Sequence, residues 1–411
     1  MGTCDPRPVR PDSLFNCFSA TKPIGAACLL AIADEFKVDL ADPVAHHWRE
    51  FACNGKEACT IKQLLSHQAG LYNAVTALTP VDDLSNYEAM VKQVAQAKPS
   101  HPAGERAVYH YLSFGWLVGG LIQALSNRHI QECSATIFGK PLGVADEFFL
   151  GLPSAPQRPD IEDRVVTVTN GFGKDGNPPT PEEIKAIMQR MRDMAKASEG
   201  KTANGASVSS ATQNSRSELA AGIANIVTNS TQGAGESMSQ LSLADPCMFN
   251  SDRIRHACIP AANGHFSARA LAKFYAVLAN WGTLDGRVYV KKAVVQSMME
   301  VQAQERMSML QHGIRWGLGV HVYGLSDREP QDEDDDSSET KEPQSPNSKV
   351  RLTAFGHSGL GGTLAFCDVH TNVAVAITVN KLTLHHTVAN EVTRLICKEL
   401  QMGYPQNGVF V

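Results

Sequence analysis

Hydrophobic positions along this chain follow a helical period first and a strand period later. From Ser19 onward, Ile24, Ala27, Cys28, Ala31 and Ile32 recur at helix spacing, with Pro23 in the first turn, where a missing N–H costs little. The segment from Val38 to Val44 predicts a tight connection after this helix, and Thr60–Ser66 predicts a short helix. Ser113 to Ile130 reads as a largely apolar helix buried on most sides. His265–Trp281 reads as an amphipathic helix with Phe266, Ala270, Phe274, Val277 and Leu278 on one side. β-Branched content and turn residues then predict strands over Gly317–Tyr323, Leu352–His357, Thr363–Asp368 and Val373–Val379, the last two joined as a hairpin by Val369–Asn372. A helix over Thr387–Leu400 closes the pattern. Helices, then an antiparallel meander, then a helix predict an α+β architecture: an antiparallel sheet flanked by helices plus a mainly helical region.

Two stretches break the pattern. Between 153 and 240 Ser, Thr, Asn, Gly and Ala dominate, with short helical patterns over Pro181–Lys196 and Ser217–Thr228. That composition cannot build a core of its own, so this stretch is expected to be an insertion. Residues 326–349 carry "DEDDDSSETKEP", which is expected to be a solvated acidic loop rather than a metal site. The remainder of 1–411 is expected to form a single domain.

Composition narrows the function classes. The chain has 411 residues and 43% hydrophobic content, enough for a substantial core. A net charge of −5 gives no electrostatic case for nucleic acid or an anionic membrane. The longest apolar run, Ile24–Ala33, is about half the roughly 20 residues a membrane span needs. Ten cysteines are scattered without a C-x-x-C pair, and Cys53 and Cys59 are the nearest two. With no secretory signal ahead of them, reduced thiols and an intracellular, cytoplasmic setting are expected. Neither a metal nor a cofactor is implied. Met1-Gly2-Thr3-Cys4 hints at acylation, but Pro6 stands where Ser or Thr is expected.

Candidate chemistry begins in "NCFSATKPIGAACLLAIA". A serine hydroxyl is a poor nucleophile until a base takes its proton. On a helix, positions i and i+3 share a face, so Lys22 would bring its amine to the Ser19 oxygen. The positive helix N-terminus would help lower the lysine pKa. The same S-x-x-K spacing occurs at Ser198–Lys201 and Ser338–Lys341, both inside the two aperiodic stretches, where no packed helix is expected. Read alone, Ser19 could equally be a helix cap and Lys22 a surface charge.

The surroundings resemble a known family beyond this motif. "LFNCFSATKPIGAACLLAIADEFKVDLADPV", "TIKQLLSHQAGLYN", "YHYLSFGWLVGGLIQ", "IPAANGHFSARALAKFYAVLANWGTLDG" and "FGHSGLGGTLAFCDVHTNVAVAITVN" resemble, in order, five blocks of the serine β-lactamase and penicillin-binding-protein superfamily. The likeness is to its class C-related, esterase-like branch, and most of all to eukaryotic β-lactamase-related domains such as those fused to atypical kinases in plants and algae. The resemblance implies that Ser19 is the nucleophile, Lys22 its base and Tyr109 the tyrosine that passes protons to the leaving group. Tyr111 fills the slot of a usual Asn, which points away from lactam recognition. His357-Ser358-Gly359 matches the third motif in an HSG form, with His357 in place of a lysine, so that any charge facing a substrate carboxylate depends on pH. The Leu360 N–H, with that of Ser19, would form the oxyanion hole. His67 matches a family histidine read as holding the loop after its helix. Trp316 and Trp281 are read as packing residues.

The implied function is a serine hydrolase acting on a small-molecule or peptide ester or amide through an acyl-enzyme. The alternative is a catalytically inactive binding or scaffold domain with the same fold, in which Tyr109 is a core aromatic and His357 a strand-end histidine bonded to backbone. Family members place two strands ahead of the nucleophile helix, whereas eighteen residues precede Ser19 here. Those strands are therefore expected to be missing and one sheet edge to be open.

Overall fold

The computed structural model describes residues 5, 7–75, 79–154, 158–173, 180, 246–305, 314–326, 351–383 and 386–406. The helical patterns over 181–196 and 217–228, the loop 327–349 and both other S-x-x-K matches lie outside them.

In chain order, the elements that shape the molecule are strand β1 (Phe15–Asn16) and helices α1 (Lys22–Phe36), α2 (Ile61–Leu65) and α3 (Ser113–Ser126). Strands β2 (Phe148–Leu150) and β3 (Gly264–Phe266) and helix α4 (Ala268–Ala279) follow. The main sheet then uses β4 (Ala303–Glu305), β5 (Ile314–Trp316), β6 (His321–Ser326), β7 (Arg351–Ser358), β8 (Leu364–Asp368) and β9 (Val373–Ile377). Helix α5 (Thr387–Glu399) and strand β10 (Tyr404–Gln406) close the chain.

The main sheet runs β9-β8-β7-β6-β5-β4, each neighbour antiparallel, with β10 pairing the end of β6. Its two faces are covered separately, as the period of two requires. Ala365 and Cys367 of β8 join the large core under α4, while Leu364 and Phe366 pack with Ala389 and Cys397 of α5. Among the described residues β9 pairs only with β8. The fold is α+β, an antiparallel sheet flanked by helices.

The large core joins α1 to α3: Ile24, Leu29, Leu30 and Ile32 meet Leu117, Val118 and Leu121, all buried. Fully burying each such side chain stabilises the fold by about 1.5–3 kcal/mol. No helix among the described residues is long and apolar enough to cross a membrane.

Several boundaries differ from the sequence expectation. His265 and Phe266 are strand, not helix; they pair with β1 and β2, and α4 begins only where Ser267 caps it through a 3.1 Å bond from the Ala270 N–H. The apolar stretch from Ser113 ends at Ser126, because Asn127 turns left-handed at φ 55°. Gly317–Val320 is a turn, closed by Gly317 N–H to the Val320 carbonyl at 2.9 Å with Gly319 at φ 73°, so the strand starts at His321. The stretch expected to be coreless from 153 is anchored at its start. Ile161 and Val165 are buried with Leu14, whose backbone bonds Arg164 and Val166.

Candidate active site

Ser19 lies in a single 3-10 turn (Phe18–Thr21) that runs directly into α1. The turn is held by its flanks. Phe18 adopts a left-handed φ of 44°, a strained conformation for a bulky residue, and its N–H donates to Asn16 Oδ1 at 3.0 Å. Asn16 Nδ2 in turn donates to Asn263 Oδ1 at 2.9 Å, and Asn263 Nδ2 to the Ile254 and Ala257 carbonyls. Thr21 Oγ1 accepts the Gly264 N–H at 3.0 Å. The segment "IPAANGHF", read from sequence only as a structural block, therefore braces the Ser19 turn at two points. Nothing in the spacing of Asn16 or Asn263 announced this.

Lys22 is fully buried, and its Nζ lies 3.0 Å from Ser19 Oγ and 3.1 Å from the Ala261 carbonyl. Gly115 of α3 permits this approach, since a Cβ there would stand 2.4 Å from Ala261 N. Burial pushes the amine well below the ordinary lysine pKa, toward the neutral form that can act as a base. Ser19 does not cap a helix with its side chain and is part-exposed, and Lys22 is no surface charge. Neither side chain therefore sits where a helix cap or a surface charge would.

Tyr109 arrives from the extended segment before α3. Its ring lies 4.8 Å from Lys22 Nζ, stacks on Trp316 at 5.4 Å and 9°, and stands 5.9 Å from the His357 ring. Trp316 is fully buried, which fits packing rather than a surface platform. Tyr111 crosses the Tyr109 ring edge-on at 4.7 Å and remains 37% exposed, at the rim.

The HSG segment ends β7, which packs against the Ser19 turn. Gly359 lies so close to this turn that a Cβ would come within 2.3 Å of the Cys17 carbonyl oxygen. Leu360, 43% exposed, opens a short 3-10 turn, as Ser19 sits in the first residues of its own, so neither N–H has a partner inside its own helix. His357 is buried, with Nδ1 2.7 Å from the Ser358 carbonyl and its ring 4.2 Å from that of His321. Burial first, then His321 and Lys22, hold it well below the usual histidine range. Such a shift favours the neutral ring at neutral pH. His110 and His321, unmarked by any sequence signal, complete a buried imidazole cluster with His67 and His357.

With this geometry in place, comparison with known proteins assigns the class. Residues 3–398 match the Beta-lactamase family, and the chain belongs to it. It is 27% identical over 377 residues to the Esterase/beta-lactamase LipL of Mycobacterium tuberculosis, spanning 90% of this chain and 70% of that protein. Among solved structures, a family VIII carboxylesterase superposes with a TM-score of 0.67 at 23% identity, covering 95% of this chain and 85% of the other. A penicillin-binding protein homolog from Caulobacter crescentus gives 0.62 at 25% identity, covering 92% and 80%. These relatives lend no support to the plant and algal branch that the sequence resemblance suggested.

Proposed function

We propose that this protein is a serine hydrolase that cleaves an ester or amide through an acyl-enzyme on Ser19. The observation that carries the reading is the buried Lys22 amine, held 3.0 Å from Ser19 Oγ beneath the Tyr109 ring. Lys22 takes the Ser19 proton as Oγ attacks the carbonyl carbon. The N–H groups of Ser19 and Leu360 hold the oxyanion, and Tyr109 hands the proton to the departing alcohol or amine as its bond to the acyl carbon breaks. Water then attacks the acyl-enzyme, returning Ser19 and releasing the acid. Tyr111 in the usual Asn slot and the neutral His357 favour esters over lactams.

A fluorophosphonate probe tests this directly. Wild-type protein is expected to be labelled at Ser19 and to hydrolyse p-nitrophenyl acetate, and Ser19→Ala to do neither. Equal labelling of both proteins, or folded wild type without turnover, would favour the non-catalytic binding domain.

A further inference from the structure

His67 contacts the backbone on both sides of Tyr109. Its carbonyl accepts the Val108 N–H at 2.9 Å, and its Nδ1 accepts the His110 N–H at 3.1 Å. One residue thus fixes positions i−1 and i+1 of the tyrosine, and its ring packs edge to face with Tyr109 at 5.0 Å and Trp316 at 4.3 Å. His110 is tied in turn, with Nδ1 2.7 Å from the Val108 carbonyl and Nε2 accepting the Leu71 N–H at 3.0 Å. His67 itself has φ 62°, a left-handed conformation that few side chains adopt cheaply and that Asn tolerates best after Gly.

This geometry specifies the side chain. An acceptor at the δ position is required, because the His110 N–H is buried and would otherwise be unsatisfied. With Nδ1 accepting, the neutral ring carries its proton on Nε2, which is buried among Tyr109, Phe114 and Trp316 with no nitrogen or oxygen partner among the described residues. A ring held only to anchor the loop after α2 would not need to grip both neighbours of the tyrosine.

We propose that His67 is a positioning residue that sets the Tyr109 phenol over Lys22 by clamping residues 108 and 110. The inference rests on the serine-hydrolase reading for its kinetic consequence, and on geometry alone for the clamp. An ångström of misplacement of a proton-transfer group can cost about 10²-fold in rate.

The experiment compares His67→Phe, which keeps the ring and loses the acceptor, with His67→Asn, whose Oδ1 occupies the place of Nδ1 and which accepts the left-handed backbone. In p-nitrophenyl acetate hydrolysis, His67→Phe is expected to lose about 10- to 100-fold in kcat with little change in KM. His67→Asn is expected to recover most of it. Nitrogen-15 spectra of wild type at neutral pH should show His67 with a bare Nδ1 and a protonated Nε2. The Tyr109 ring signal should shift in His67→Phe and return in His67→Asn. A folded His67→Phe with wild-type kcat overturns the proposal, as does a folded His67→Asn no better than His67→Phe, or an Nδ1 that carries the proton. Absence of Ser19 labelling in wild type defeats the hydrolase reading instead, and the spectra still decide the clamp.

Discussion

Lys22 lies 3.0 Å from Ser19 Oγ, and Lys56 lies 3.1 Å from Cys53 Sγ at the same three-residue spacing. Both lysines are buried, both donate to a backbone carbonyl, and both amines sit over an aromatic ring, Tyr109 in one case and Phe51 in the other. The difference is where these partners come from. Around Lys56 the carbonyl is that of Cys53 itself and the ring is five residues away, so a local loop satisfies its own lysine. Around Lys22 the carbonyl belongs to Ala261, the ring to Tyr109, and β7 brings Gly359 against the same turn. A nucleophile within reach of a lysine follows from short-range spacing. A site requires distant segments to converge on it.

The sharpest test of that contrast is Lys22→Met. Removing the amine should lower kcat/KM by about 10²–10⁴-fold or more, the range of a general base. Replacing a buried amine with an apolar chain of similar length should leave the melting temperature unchanged or raise it. Retained turnover would make the two pairs equivalent.

A smaller effect separates the regions by pH. His67, His110 and His357 are held below the usual histidine range by burial, His110 to about 3. The native state therefore resists protons that the unfolded chain binds below about pH 6.5. Stability should fall as pH drops from about 6.5 toward about 3, where His110 itself takes a proton, by up to about 1.4 kcal/mol per pH unit for each such group. Urea midpoints measured across that window check it, and a flat profile would count against the buried cluster. The smallest effect is expected at the other pair: Cys53→Ser and Lys56→Met should leave kcat/KM within about twofold of wild type, as changes away from a site usually do.

What the sequence disclosed follows the same division between local and distant. The helix expected from Ser19, which begins at Lys22 after a 3-10 turn, the short helix after Thr60, the hairpin at Val369–Asn372 and the closing helix were legible because period and turn chemistry act over a few residues. The spacing of Ser19 and Lys22 occurs three times in the chain and did not single them out; they, like Tyr109 and His357, stood out through the resemblance of their surroundings. Asn16, Asn263, His110 and His321 did not, because the partners that tie them to other segments lie 39 to 247 residues away or are rings met only across the sheet. His265 was misread because pairing of a three-residue strand overrides a helical pattern that continues beyond it.

The buried imidazoles and the displaced lysine pKa have one more consequence, in the response to salt. Lys22, His67, His110 and His357, held toward their neutral forms by burial, add no fixed charge of their own for counterions to screen. Uncharged substrates should then be captured at rates set by diffusion and fit, insensitive to ionic strength. An anionic substrate would gain no long-range attraction from these four groups.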